Sequence, residues 1–322
     1  MNSQIRLFFY FSFFLKLALS LMFPLVLDEY YYFLWGGHFS WSYFDHPPIV
    51  GWMMSLSQPL AEWSPGLIRW PFVAMGQLTI AIWLRMLKTD LSEKALMLFL
   101  LVATFNPLWG LGQMIATPDI PLVCFWSLAL FFTKEVIDKS SVSSYAGLGL
   151  ALGLGFSSKY HVVLFIPCLF ILIWRKKLWN GLLNAKTFLT LGLGMMGSLP
   201  VLYWNSQNEW ASFLFQWEHG MGGKYWKPTY PLEYLGNQLL LIGPLVLWAL
   251  VGGQKEKRRA EWLLPFTLFP FVFFLYSSFK GRVEGNWVIM SFPSLYAYTI
   301  LTLKESSIHW IQKMVATWVS LL

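Results

Sequence analysis

Apolar residues run along this chain in long blocks separated by short polar stretches. The blocks cover approximately residues 5–27, 67–87, 95–115, 120–133, 145–157, 160–173, 187–204, 235–252, 261–278, 287–303 and 308–322. A helix crosses a bilayer with about 20 largely apolar residues, and with fewer where it re-enters. The pattern therefore predicts an all-α polytopic membrane protein with about 10–11 membrane segments. Basic clusters punctuate the blocks: Arg85, Lys88 and Lys94; Lys134 and Lys139; Arg175, Lys176 and Lys177; Lys255, Lys257, Arg258 and Arg259. Cytoplasmic loops concentrate lysine and arginine, and a cytoplasmic N-terminus puts all four clusters on that side. Residues 145–173 resemble one long span by length, yet basic clusters flank both ends. A re-entrant hairpin turning near Ser157-Ser158-Lys159-Tyr160 satisfies both, and places Lys159 toward the outside.

Two sizeable external loops follow from this topology, 28–66 and 205–234, with short turns near 116–120 and 279–286. The first loop holds no lysine or arginine and is rich in Tyr, Trp and Phe, which suits amphipathic helices at headgroup level. No internal repeat or low-complexity segment interrupts a single transmembrane domain over 1–322. The first block, from Leu7 to Leu27, is too long for a signal-peptide core and lacks a small-residue cleavage site, so it is expected to be a retained span. The tail from Ser306 is a candidate eleventh span.

Composition sharpens this picture. Of 322 residues, 57% are hydrophobic, 19% aromatic and 12% charged; soluble domains carry about twice that charged share. An ordinary cytosolic enzyme, a disordered chain and a disulfide scaffold are excluded. Cys124 and Cys168 both lie inside apolar runs. The net charge of +7 is dispersed between spans, where it sets orientation, so no nucleic-acid partner is expected.

Ionisable groups at the outer boundary are the candidate chemistry. Asp28 and Glu29 adjoin the end of the first span, where one reading is a hydrated helix end and another a general base whose pKa partial desolvation has raised. Tyr43-Phe44-Asp45-His46-Pro47-Pro48 holds Asp45 and His46 in a rigid turn, since the prolines end any helix. That turn is equally readable as a helix cap, or as ligands for a divalent metal together with Asp28 or Glu29, although no dedicated metal spacing is present. Asp119, in Thr117-Pro118-Asp119-Ile120-Pro121, is either a helix cap or part of the same site. Lys159, Lys280 and Arg282 stand outside the inward-facing clusters, as do Lys16, Arg69, Lys224 and Lys227. A phosphate suits such cations; membrane lipid headgroups are the alternative. Lys16, in the middle of the first span, requires a partner inside the bundle or a cavity.

These residues resemble a known pattern. Asp28-Glu29-Tyr30-Tyr31-Tyr32 with Trp35, His38 and Tyr43-Phe44-Asp45-His46-Pro47-Pro48 is similar to the first-loop signature of bacterial family 39/83 glycosyltransferases, relatives of the protein O-mannosyltransferases and the lipid A aminoarabinose transferase. Thr117-Pro118-Asp119-Ile120-Pro121, Gly155-Phe156-Ser157-Ser158-Lys159-Tyr160, Trp204-Asn205, Trp210-Ala211-Ser212-Phe213, Phe215-Gln216 and Glu284-Gly285-Asn286-Trp287 follow in the expected order. The resemblance implies a GT-C helical bundle that passes a sugar from a polyprenyl-phosphate donor to a lipid, glycan or protein acceptor outside the cytoplasm, with inversion. It makes Asp28 the general base and Glu29 a group that orients donor or acceptor. Tyr31, Asp45, His46 and Asp119 become candidate substrate contacts, and Lys159, Lys280 and Arg282 candidate ligands of the donor phosphate. No cofactor is implied beyond a possible divalent metal, and no metal ligand is assigned. Many relatives carry further C-terminal helices or an external domain, which leaves the acceptor open here.

Two other classes compete. A lipid or solute transporter would show repeated halves and broken helices at the midplane, whereas the ionisable residues here gather at the outer edge. An inactive relative acting as a scaffold would tolerate Asp28→Asn. Absence of an Asn-x-Ser/Thr sequon and the short N-terminus favour a bacterial inner membrane.

Overall fold

Where the apolar blocks run unbroken they fold as helices; Asn106-Pro107 ends one of them, whereas Pro200 and Pro270 lie inside helices that continue through them. The structure, a computed structural model, describes residues 2–179, 184–221, 226–243, 245–246, 260–304 and 308–320. The Lys255–Arg259 cluster, Lys224 and the end of the 235–252 block lie outside the described residues. No strand occurs among the described residues. Five helices there are long and apolar enough to cross a membrane: Ser3–Met22, Pro65–Leu87, Asp119–Lys139, Ala185–Gln207 and Glu261–Ser278, with Val142–Phe156 a shorter apolar helix.

The chain packs as two compact units, one from residues 1–16, 80–113 and 220–322, the other from residues 17–79 and 114–219. In chain order the helices are α1 (Ser3–Met22), α2 (Leu27–Gly36), α3 (Ile49–Ser57), α4 (Trp70–Leu87), α5 (Glu93–Phe105), α6 (Asp119–Lys139) and α7 (Val142–Phe156). Then come α8 (Phe165–Lys176), α9 (Ala185–Gln207), α10 (Ala211–Met221), α11 (Thr229–Ile242), α12 (Leu264–Ser278), α13 (Phe292–Thr302) and α14 (Ile308–Ser320).

In the first unit, α5 packs against α13 and α14, and α12 against α11 and α13. The expected 95–115 segment is not one helix. It stops at Phe105 because Asn106 and Pro107 follow: proline lacks the N–H a helix needs, and Asn106 Oδ1 accepts the backbone N–H groups of Leu108 and Trp109 at 3.1 and 2.8 Å. Asn106 Nδ2 also donates to Leu241 O and to the Tyr296 hydroxyl, both at 2.7 Å. The expected 287–303 segment likewise starts as a 3-10 stretch, Gly285–Ser291, before α13. Lys16 finds its partner here: its ammonium donates to Gln113 Oε1 at 2.8 Å and is buried.

In the second unit α7 packs against α6 and α9, and small residues set the approach. A Cβ on Gly153 would lie 2.5 Å from Gly194 O and 2.9 Å from the Cα of Gly197. Such close backbone packing joins helices in lipid, where burying apolar surface offers no driving force. The chain breaks after α7 at Ser157-Ser158-Lys159, where the hairpin turn was expected. Ser157 Oγ donates to Gly197 O at 2.7 Å. The segment expected as the first external loop holds two helices, α2 and α3, packed on each other. Tyr43 stacks on Trp35 with centroids 4.2 Å apart and donates its hydroxyl to Trp35 O and His38 O.

Candidate active site

The end of α1 and the start of α2 are joined by Pro24, and α2 opens with both carboxylates in its first turn. Acidic groups suit a helix N-terminus, where backbone N–H groups point outward. Glu29 turns inward and is fully buried. Its Oε2 accepts the Val26 N–H at 2.9 Å, closing the cap of α2, and its Oε1 accepts the Ala116 N–H at 2.9 Å. Arg69 grips both oxygens, Nε to Oε1 at 2.7 Å and Nη2 to Oε2 at 2.6 Å. Asp28, one residue earlier, is exposed and makes no hydrogen bond or ion pair among the described residues.

Three other segments of the same unit meet α2. Tyr31 donates its hydroxyl to Asp45 Oδ1 at 3.0 Å. The turn carrying Asp45 and His46 is held from the α7 break, where the Ile49 N–H donates to Ser157 O at 3.0 Å. From residues 205–234, α10 contributes Gln216, whose amide donates to Asp45 O, and Phe215, whose ring lies 4.9 Å from that of Phe44. Asp119, at the start of α6, pairs with Lys159 at 2.6 Å, both nearly buried. Lys159 thus already has an anionic partner.

The electrostatics tie these groups together. Burial, and after it the charges of Asp119, Asp28 and Asp45, holds the Tyr32 phenol far above its ordinary value. Burial and the adjacent Asp45 charge push Tyr31 up to about 12. Burial raises Asp45, and the Tyr31 hydroxyl works against that rise. Burial, reinforced by the positive charge of Lys159, lowers His46 to about 3. His46 is therefore a neutral imidazole at physiological pH, and its Nδ1 is buried without a hydrogen-bond partner.

The second unit thus brings together Asp28, Glu29, Tyr31, Asp45, His46, Asp119 and Lys159. Lys280 and Arg282 belong to the first unit and are exposed; Lys280 Nζ lies 5.8 Å from the Tyr276 ring centroid and Arg282 is 3.7 Å from Glu284. Among the described residues no group of three or more His, Cys, Asp or Glu side chains is arranged to hold a metal. Sequence reasoning quoted Tyr32 and Gln216 as motif residues and Arg69 as an isolated cation, but gave none of the three a role. For Arg69 a signal existed, a lone arginine at the outer end of a span, and the nearest buried carboxylate was its natural partner.

Known proteins resemble this chain in fold and sequence. The structure aligns with the crystal structures of ArnT from Cupriavidus metallidurans: bound to undecaprenyl phosphate, TM-score 0.76 at 19% identity over 98% of this chain and 63% of that one, and in the apo state, TM-score 0.73 at 17% identity over 96% and 62%. The chain has the GT-C fold. Residues 45–204 of this GT-C chain match the family described as dolichyl-phosphate-mannose-protein mannosyltransferase. The lipid A galacturonosyltransferase RgtD of Rhizobium johnstonii is 22% identical over 312 residues, 86% of the GT-C chain and 61% of that protein. The chain spans about three fifths of the length of these relatives.

Proposed function

We propose that this chain transfers a sugar from a polyprenyl-phosphate donor to an acceptor on the external face of a bacterial inner membrane. The observation that carries the reading is the contrast at the start of α2: an exposed Asp28 without a partner beside a buried, fully bonded Glu29. Asp28 takes the proton of the acceptor hydroxyl or amine as that group attacks the anomeric carbon. The bond from that carbon to the phosphate oxygen breaks on the opposite side, which gives inversion, and polyprenyl phosphate leaves. Tyr31, Asp45 and neutral His46 offer donors and acceptors to sugar or acceptor hydroxyls. Asp119 orients Lys159, whose remaining N–H groups face developing phosphate charge. Lys280 and Arg282 remain candidate phosphate ligands on charge alone. The lipid A galacturonosyltransferase RgtD and the undecaprenyl phosphate bound to ArnT support a polyprenyl donor and favour a lipid acceptor such as lipid A.

The test is mass spectrometry of envelope lipids and glycans from cells holding equal membrane levels of wild type or Asp28→Asn. A positioned general base contributes about 100- to 10,000-fold, so the sugar mass increment is expected with wild type and lost in the variant. Identical spectra from the two, with polyprenyl-phosphate sugars supplied, would sink the reading.

A further inference from the structure

We infer that Arg69 and Glu29 form a positioning clamp that sets the separation of Asp28 from the Asp119–Lys159 pair. The inference rests on the proposed role of Asp28, and its geometry stands apart from that role. Arg69 uses its whole guanidinium. Besides the two bonds to Glu29, Nη1 donates to Ser20 O at 2.9 Å and Phe23 O at 3.0 Å, and Nη2 to Pro24 O at 2.8 Å. Ser20 O belongs to the last turn of α1, which leaves its carbonyls without helical partners, and Phe23 and Pro24 directly follow that helix, so one side chain gathers the end of the first span. Glu29 then carries the restraint in two directions. Through the Val26 N–H it sets where α2 begins, one turn that includes Asp28. Through the Ala116 N–H it holds the strand of chain that enters Thr117-Pro118-Asp119 three residues later. The proposed general base and the carboxylate that orients Lys159, distant in sequence, are thereby referred to one buried ion pair.

Chemistry of the pair supports restraint over catalysis. Glu29 has no exposed surface and Arg69 is 2% exposed, so neither presents an atom to a substrate. A lysine could replace the charge but not the planar fork that reaches two carboxylate oxygens and three carbonyls together. Breaking a buried pair by removing one partner leaves an uncompensated charge, so charge-preserving and neutralising variants should differ in stability yet share a loss of alignment.

The experiment uses Arg69→Lys and Glu29→Gln in the full chain in membranes, with two readouts. The first is the distance distribution between spin labels at positions 30 and 117, which flank the clamp's two outputs and need no turnover. Wild type should give one narrow distribution, and Arg69→Lys a broadened or shifted one. The second is kinetics: kcat should fall about 100-fold, the cost of about an ångström of misplacement, with KM for the donor nearly unchanged. The acid limb of the pH–kcat profile should persist in Glu29→Gln, because that limb belongs to another group. An unchanged distance distribution in both variants overturns the clamp. Loss of the acid limb in Glu29→Gln overturns it differently, by making Glu29 itself the titrating group. If wild type shows no transfer, the distance readout still decides the clamp, and the proposed activity fails on its own.

Discussion

Asp28 and Glu29 are chemically similar neighbours with different fates, because successive residues of a helix point about 100° apart. One faces out of the packed unit; the other meets Arg69. A second contrast lies at the Pro-Pro turn. His46 is enclosed by the rings of Tyr32 and Trp35, with centroids 5.9 and 6.3 Å away, and its pKa is lowered to about 3 by burial. An unfolded histidine titrates near 6.5, so between about pH 6.5 and 3 the unfolded chain binds a proton the folded chain does not. Stability is therefore expected to fall as pH drops through that window. Thermal unfolding of detergent-solubilised protein at pH 7 and pH 4.5 checks this: His46→Gln should lose part of the difference. An equal pH dependence in variant and wild type would show that His46 contributes nothing to it.

At the scale of elements, helix ends follow local chemistry and helix contacts follow side-chain size. The chain breaks at Ser157-Ser158-Lys159, as the flanking basic clusters predict, whereas the stop of α5 at Asn106-Pro107 falls inside a block expected to run on to residue 115. The approach of α7 to α9 depends on Gly153 meeting Gly194 and Gly197, 41 and 44 residues further along the chain. Gly153→Val would drive a methyl group into the Gly194 carbonyl and is expected to cost about 1–3 kcal/mol. Gly192, whose added Cβ would meet nothing within 4 Å, is the control: Gly192→Ala should leave the unfolding midpoint unchanged or slightly raised. Equal behaviour of the two variants would mean that close packing of α7 on α9 carries no stability. The aromatic first loop forms two helices because Gly36 and Gly51 admit the partner backbone and the Tyr43 ring at 3.0 and 2.5 Å from where a Cβ would sit.

For the whole molecule, charge asymmetry predicts orientation. The clusters ending α4, α6 and α8 belong on the cytoplasmic side, and the loop carrying Trp63, 86% exposed, on the outer side. Single cysteines introduced at position 63 and at position 88 should therefore react with a membrane-impermeant maleimide from opposite faces of sealed inner-membrane vesicles, Cys124 and Cys168 being buried. Labelling of both positions from one face would reverse or refute the topology. The proposed external site depends on this result, since polyprenyl-phosphate chemistry at Asp28 needs that residue on the outer side.

Much of this protein is legible without coordinates. Its membrane class, helical content, the break at Ser157-Ser158-Lys159 and the residues Asp28, Asp45, His46, Asp119 and Lys159 as candidates follow from hydropathy, charge spacing and short motifs. These are properties of residues within about one helical turn of each other, and local sequence dictates them. Pairing is another matter. Glu29 with Arg69, Asp119 with Lys159 and Lys16 with Gln113 join positions 40, 40 and 97 residues apart, and many partners of each charge were available along the chain. Only tertiary packing selects among them, because a buried ion must find a counter-charge or a hydrogen-bonding partner within reach, and which groups come within reach is set by how the helices pack.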